Sequence, residues 1–141
     1  MNTELTVTTS VEINADKAKV WDALTNPEKI KVYLFGTETL TNWETGSEII
    51  FQGEYQGQQY KDKGTILDIR TNELLQYSYW SGFSGLEDKP ENYSLVAYKL
   101  DIANGKTLLT LTQTGFANEQ AQQHSQTAWT NVLQQIKQMT E

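Results

Sequence analysis

The only histidine of the chain, His124, carries the side chain best suited to proton transfer near neutral pH. It lies three residues after Ala121 and four before Ala128, so it borders the apolar side of the last predicted helix. No Ser or Cys nucleophile is evidently paired with it. A solvent-exposed helix edge is the simplest interpretation, and a hydrogen bond to a ligand and general-base catalysis are the alternatives. We keep His124 as a candidate ligand contact and predict no catalytic residue.

Aromatic side chains provide the second candidate chemistry, which is the binding of a ring-containing ligand. Tyr and Trp combine a large apolar body with one O–H or N–H group that fixes a ligand's orientation. The alternative is that these side chains simply fill the core. Buried tyrosine hydroxyls need hydrogen-bond partners, which favours a ligand with polar groups, such as a polyphenol. Besides His124, the predicted ligand contacts are Tyr33, Phe35, Trp43, Phe51, Tyr77, Tyr79, Tyr98 and Trp129.

A long loop from Gly82 to Glu91 carries three acidic residues, but without the regular spacing of the oxygen ligands in a calcium-binding loop. We therefore predict no metal site. Phe83 and Leu86 would form apolar tips next to glycines that can act as hinges. The loop is either a lid over the mouth of a pocket or a plain connector.

The composition excludes several classes of partner. A formal net charge of -7 repels phosphates, so we expect neither nucleic acid nor an anionic membrane surface as a partner. The absence of cysteine removes disulfides and thiol nucleophiles and fits the cytoplasm. We see no signal peptide and no apolar run of the ~18 residues that a membrane span needs, so a cytoplasmic location is predicted. No nucleotide-binding or hydrolase motif occurs, and no cofactor is predicted.

These side chains must be positioned by an α+β fold, which we expect to be one domain over residues 1–141. Residues 5–13 alternate between apolar and polar side chains, which predicts a half-buried strand. Two short helices follow, with Asn14 predicted to cap the first and Asn26-Pro27 to begin the second. A string of hairpins comes next, of which Asn104-Gly105 carries the strongest turn signal.

The last segment, from Asn118 to about Thr140, has apolar residues at helical spacing. Its length is roughly 34 Å at 1.5 Å per residue, enough to cross a sheet. We therefore expect a curved antiparallel sheet that grips this helix and leaves a pocket between the two. Trp80 is predicted to lie on the opposite strand face from Tyr77 and Tyr79, and contact with a second copy of the chain, in a homodimer, is the simplest use for it.

Several segments, in order along nearly the whole chain, resemble the START-like (SRPBCC) superfamily. Within it, the chain is most similar to the branch related to the C-terminal domain of the heat-shock protein 90 ATPase activator. The segments that carry this resemblance are Val11 to Ala15, Val20 to Glu28, Gly46 with Ile49 and Phe51, Gly64 to Ile69, Leu75 to Tyr79, Thr110 to Phe116, and Trp129 with Leu133.

The resemblance implies a helix-grip fold, in which about seven strands wrap around the last helix and enclose an apolar cavity. It also implies a small, mostly apolar aromatic or lipid-like ligand. The alternatives are a cyclase or hydrolase acting in the same cavity, and a co-chaperone-like protein-interaction domain. Gln113-Thr114 stands where many relatives have an acid or a histidine, so no acid–base pair is evident and binding is favoured over catalysis.

Overall fold

A computed structural model describes residues 1–141, and it confirms the α+β class. The elements follow in the order β1 (Asn2–Ile13), α1 (Lys17–Thr25), α2 (Pro27–Tyr33), β2 (Glu38–Leu40), β3 (Glu48–Tyr55), β4 (Gln58–Arg70), β5 (Leu74–Tyr79), β6 (Ser94–Ala103), β7 (Lys106–Phe116) and α3 (Glu119–Thr140). Two single 3-10 turns, Gly82–Ser84 and Pro90–Asn92, lie in the loop between β5 and β6.

The strands form one seven-stranded antiparallel sheet with the order β1-β7-β6-β5-β4-β3-β2, which confirms the antiparallel sheet of about seven strands that the resemblance implies. The β6–β7 hairpin turns at Asn104 and Gly105, which both have the positive φ angles that this two-residue turn requires. The sequence pattern did not predict β2. It has only three residues, and it pairs with β3 through Thr39 opposite Phe51. Three residues are too few to establish an alternation between apolar and polar side chains.

The sheet bends where β4 passes over β5. A Cβ atom on Gly64 would lie 1.6 Å from the backbone carbonyl oxygen of Ser78, so only glycine permits this approach of the two backbones. The β4–β5 pairing then shifts register between Ile66 and Asp68, which marks a bulge. Bulges bend a strand and increase its twist, so this irregularity contributes to the curvature of the sheet.

The structure corrects the predicted N-cap of α1 and confirms that of α2. The expectation that Asn14 caps α1 is wrong, because Asp16 is the N-cap and its Oδ1 accepts the backbone N–H of Lys19 at 2.9 Å. Asn14 instead donates its backbone N–H to the Glu141 carboxylate at 2.8 Å. The second helix, α2, begins as predicted, with Asn26 as the N-cap and a proline at the first position.

The final helix, α3, starts after the N-cap Asn118, as predicted, and packs mainly on β1. Its second half is buried through Val132, Leu133 and Ile136. Its first half carries the same apolar pattern but stays partly open to solvent, and Ala128 is exposed. These side chains face a cavity instead of the packed core. No helix of the fold is long and apolar enough to cross a bilayer.

Candidate ligand-binding cavity

A cavity of about 290 Å³ lies between the sheet and the first half of α3. Its wall is mostly apolar, and four polar side chains interrupt it: Thr37, Asp62, Gln113 and the small Ser125. The apolar and small residues of the wall come from the end of α2, from the sheet and from α3, and they are Leu34, Phe35, Phe51, Tyr77, Tyr79, Val96, Ser125, Ala128, Trp129 and Val132. A sheet that curves around one helix cannot fill this space with its own side chains, so the volume remains open.

The cavity opens into a wider cleft of about 810 Å³, which we call the mouth. Six residues line both spaces, and they are Leu34, Phe35, Thr37, Asp62, Tyr79 and Ser125. The outer edge of the mouth adds Glu54, Tyr55, Tyr60, Phe83 and His124. Phe35 is 77% exposed there, more than any other large apolar side chain of the fold.

The nine predicted ligand contacts divide into three groups. Phe35, Phe51, Tyr77, Tyr79 and Trp129 line the cavity. His124 is exposed and lies at the mouth, beyond the cavity itself. Tyr33, Trp43 and Tyr98 lie behind the cavity wall, around a void of about 10 Å³ that is barely large enough for one water molecule. A direct ligand contact by any of the nine stays a prediction.

The residues behind the wall support the residues in it. Tyr33 is fully buried, and its hydroxyl donates to the carbonyl of Ala23 at 2.9 Å. The ring of Tyr98 meets the indole of Trp129 edge to face, with 5.9 Å between ring centroids. Such contacts hold an aromatic side chain in one rotamer. Tyr98 therefore orients the Trp129 ring in the cavity wall.

Three rings on the sheet side form a continuous aromatic surface. The Phe51 ring lies 5.6 Å from the Tyr77 ring and 5.9 Å from the Tyr79 ring, both between centroids. Burial raises the pKa of the Tyr77 hydroxyl. Burial also raises the pKa of Tyr79 well above its usual range, and the nearby Asp62 carboxylate adds to this effect. Both phenols therefore stay neutral at physiological pH, and the Tyr79 hydroxyl donates its proton to Asp62.

Gln113 is the centre of a buried hydrogen-bond network. Its Oε1 accepts the indole Nε1–H of Trp129 at 2.7 Å, and its Nε2 donates to Ser94 Oγ at 3.1 Å. Ser94 Oγ in turn donates to the carbonyl of Tyr79 at 3.3 Å. The sequence identified Gln113 only as a difference from related sequences and not as a ligand contact. In the fold, both ends of its amide are already paired.

The sequence prediction missed Asp62, which is the one carboxylate in the cavity wall. It is only 7% exposed, and its Oδ2 accepts the Tyr79 hydroxyl at 2.6 Å. Its other oxygen, Oδ1, is buried without any hydrogen-bond partner. A signal for it was present, since Asp62, Gly64 and Ile66 alternate along β4 and share its buried face.

Thr37 and Leu34 were also missed, because they lie in the segment after α2 that has no periodic pattern. The Thr37 hydroxyl donates to the carbonyl of Leu34 at 2.7 Å, and so it accepts from the hydroxyl of Tyr60. This pair of bonds fixes the segment against the sheet at the edge of the mouth.

The loop between β5 and β6 reaches the mouth through Phe83, whose ring lies 5.8 Å from that of Tyr60. The loop is anchored to β4 by an ion pair between Lys63 and Asp88, at 2.6 Å. The indole N–H of Trp80 donates to the carbonyl of Leu86 at 3.2 Å. Trp80 therefore contacts its own loop, but it is only half-buried, and its contact with a second copy of the chain stays a prediction. Whether the loop moves as a lid stays a prediction.

Residues 14–141 match the profile of a family described as Activator of Hsp90 ATPase homolog 1-like protein. The chain belongs to this family. The match covers α1, α2, six of the strands and α3, and so it includes every residue of the cavity wall. No curated protein matches the sequence.

Members of this family and similar folds appear among solved structures. The protein ChR145 from Cytophaga hutchinsonii is 40% identical, with a TM-score of 0.84 over 99% of this chain and 95% of that one. The Aha1 dimer from Colwellia psychrerythraea is 16% identical, with a TM-score of 0.74 over 96% of each chain. DynU16, a protein of the dynemicin biosynthetic locus, is 15% identical, with a TM-score of 0.75 over 95% of this chain and 46% of that one. The last two likenesses concern the fold alone.

Proposed function

We propose that this member of the Activator of Hsp90 ATPase homolog 1-like family binds a small, mostly apolar aromatic or lipid-like molecule between its sheet and α3. The single observation that carries the proposal is the cavity of about 290 Å³, lined by aromatic and aliphatic side chains and open through the mouth. Small-molecule pockets start at about 300 Å³ and are mostly apolar with a few polar groups. The wall described above has this composition.

A thermal-shift screen of the purified protein against lipids, sterols, flavonoids and polyketide-like aromatics tests the proposal. A ligand that binds only the folded state, at 100 times its dissociation constant, adds about 2.7 kcal/mol to the free energy of unfolding. For a chain of this size we expect the melting temperature to rise by roughly 5–10 °C. A selective rise within one chemical class supports the proposal, and silence across all classes contradicts it.

A variant with a blocked cavity shows whether a ligand occupies this space. Ala128 is exposed on α3 and lines the cavity, so Ala128→Trp fills the volume without disturbing the packed core. Thr130→Trp is the matched control, because Thr130 is exposed on the same helix and does not line the cavity. We expect the ligand-induced shift to disappear in the first variant and to persist in the second.

A cyclase or hydrolase acting in the same cavity is the second candidate function. The observation that favours it is the Asp62 carboxylate, which has a free oxygen and a tyrosine partner within the wall. Incubation of each screening hit with the protein, followed by mass spectrometry, separates the two functions. An unchanged ligand supports binding, whereas a product that forms with the wild type and not with Asp62→Asn supports catalysis.

A co-chaperone-like interaction domain is the third candidate, and exposed aromatic side chains favour it. Phe35, Tyr55 and Phe83 are 77%, 62% and 55% exposed and surround the mouth. Replacing Tyr55 and Phe83, which line the mouth but not the inner cavity, with serine should weaken the binding of a protein partner and leave the cavity able to bind small molecules. A homodimer and a cytoplasmic location also stay predictions, and sedimentation velocity tests the first of them.

A further inference from the structure

Asp62 occupies the part of the wall that the cavity shares with its mouth. It projects from β4, where it stands opposite Phe51 of β3 in the register of the two strands. Asp62 therefore lies where the two spaces meet, next to Tyr79 of the aromatic surface. The side chain is more than nine-tenths buried, although its strand neighbours Lys61 and Lys63 are both more exposed.

The negative charge of Asp62 is not neutralised within the chain. None of the ion pairs of the fold includes Asp62. The adjacent Lys63 pairs with Asp88 of the loop instead. Its single hydrogen bond, from Tyr79, uses only Oδ2. Burial of a carboxylate is unfavourable unless the charge is paired and both oxygens have donors. The site therefore has unused capacity for a donor.

The other polar groups of the wall are either already paired or neutral, and the hydroxyls of Tyr77 and Ser125 are the neutral groups without a hydrogen bond within the chain. Both ends of the Gln113 amide are paired, and the Thr37 hydroxyl both donates and accepts within the chain. Lysine and arginine are absent from the lining of the cavity and of the mouth, whereas Glu54 adds a second carboxylate to the mouth. The electrostatic environment of the entry path therefore favours a cation over an anion.

We propose that the cavity selects ligands in which an apolar or aromatic body carries a protonated amine, and that Asp62 binds this amine. The inference rests on the proposed function, since it specifies the ligand class of the same site. A charged donor forms a shorter and stronger bond to a carboxylate than a hydroxyl does. The amine also neutralises a buried charge that a neutral donor would leave in place.

Three probes with the same ring and different head groups test the inference. They are naphthylmethylamine, naphthylmethanol and naphthoic acid, and each is titrated into the wild-type protein while the indole N–H resonances are followed by NMR. The Trp129 resonance, assigned with Trp129→Phe, reports from the cavity wall. We expect the amine to bind about tenfold more tightly than the alcohol, and the acid to bind most weakly.

Two variants locate the preference. Asp62→Asn keeps the shape of the side chain and removes its charge, so we expect the amine to lose about tenfold in affinity and the alcohol to change little. Glu54→Gln is the matched control, because it removes the same charge from the exposed edge of the mouth. The preference for the amine should persist in that variant. The wild-type comparison needs no variant, so it stands even where Asp62→Asn folds poorly.

The outcomes distinguish amine selection by Asp62 from ligand binding in the cavity as such. Equal binding of amine and alcohol, or an amine preference that survives Asp62→Asn, overturns the inference and leaves the proposed function intact. The same holds if none of the probes binds while the thermal-shift screen identifies ligands without an amine. Silence in both experiments overturns the proposed function, and the inference with it.

Discussion

At the scale of single residues, the cavity wall depends on polar side chains that satisfy one another. Gln113 accepts the Trp129 indole N–H and donates to Ser94, and all of these atoms are buried or half-buried. A buried donor that loses its acceptor costs more than the bond contributed, whereas removal of both partners is nearly neutral. This asymmetry allows the role of Gln113 to be separated from the general packing around it.

We expect Gln113→Leu to lower the free energy of unfolding by about 1–3 kcal/mol, because it leaves the Trp129 N–H without an acceptor. Trp129→Phe in the Gln113→Leu background removes that orphaned donor. The double variant should therefore be more stable than the sum of the two single changes predicts. Urea unfolding of the four proteins measures this coupling. Strict additivity would show that the hydrogen bond does not hold Trp129 in place.

At the scale of elements, the bend of the sheet depends on the contact between β4 and β5. The Gly64 backbone passes so close to the Ser78 carbonyl that a side chain cannot fit between them. The Thr65 N–H also donates to Ser78 Oγ at 3.0 Å, which secures the same crossing. Curvature of the sheet creates the space for α3 and for the cavity, so this contact matters for both.

Gly64→Ala should destabilise the fold by about 3 kcal/mol, because the added methyl group forces the two strands apart. Gly82→Ala serves as the control, since its Cβ would only come within 4.0 Å of the Trp80 ring. Thermal unfolding of both variants measures the difference. A Gly64→Ala protein with wild-type stability would mean that the strands can separate without loss of the fold.

The loop between β5 and β6 is the second element that bears on the site. Asp88 pairs with Lys63 on β4 and accepts the hydroxyl of Tyr93. The Lys63 ammonium, followed by the Tyr93 hydroxyl, holds the pKa of the Asp88 carboxyl below its usual range. A carboxyl whose pKa is lowered by folding stabilises the anchored loop above its unfolded pKa. That contribution is lost as the pH falls through the lowered value.

We therefore expect the backbone amides of Leu86 and Asn92 to be protected from hydrogen exchange at neutral pH and to lose protection below about pH 4. Asp88→Asn should show the reduced protection already at neutral pH. Glu87→Gln removes a charge from the same loop, where Glu87 pairs only with Lys89, and should behave like the wild type. Identical protection in all three proteins would argue that the ion pair does not anchor the loop.

At the scale of the whole molecule, the open cavity costs stability that the fold would gain by filling it. The first half of α3 has the apolar pattern of a buried helix, yet its side chains border empty volume. Cavities of this kind weaken the packed core, and proteins keep them where function requires the space. A substitution that fills the cavity should therefore raise the free energy of unfolding and abolish ligand binding.

Ser125→Leu tests this trade-off, because Ser125 is half-buried on α3 and lines both the cavity and its mouth. We expect a gain of about 1 kcal/mol in the absence of ligand from the added apolar burial, and loss of the ligand-induced thermal shift. Thr127→Leu, at an exposed position on the same helix, should change neither property. A lower melting temperature for Ser125→Leu would show that the space cannot accept a larger side chain.

Local patterns in the sequence were sufficient for most of the architecture. The alternation in β1, the Asn104-Gly105 turn and the Asn118 cap of α3 depend on neighbouring residues, so they could be predicted without knowledge of the fold. Phe51, Tyr77, Tyr79 and Tyr98 were found for the same reason, since they stand on the inward positions of strands. Three of these four line the cavity, together with Phe35 and Trp129.

The chemistry of the site was decided by contacts between residues that are distant in sequence. Asp62 accepts the Tyr79 hydroxyl of the neighbouring strand, whereas Lys63, on the opposite face of β4, pairs with Asp88 of the loop. Trp80 is half-buried and donates to the carbonyl of Leu86, and Ala128 remains exposed on the half of α3 that borders the cavity. Periodicity predicts which side of a strand or helix is apolar. Whether that side meets another side chain, solvent or an open cavity depends on where the other elements pack.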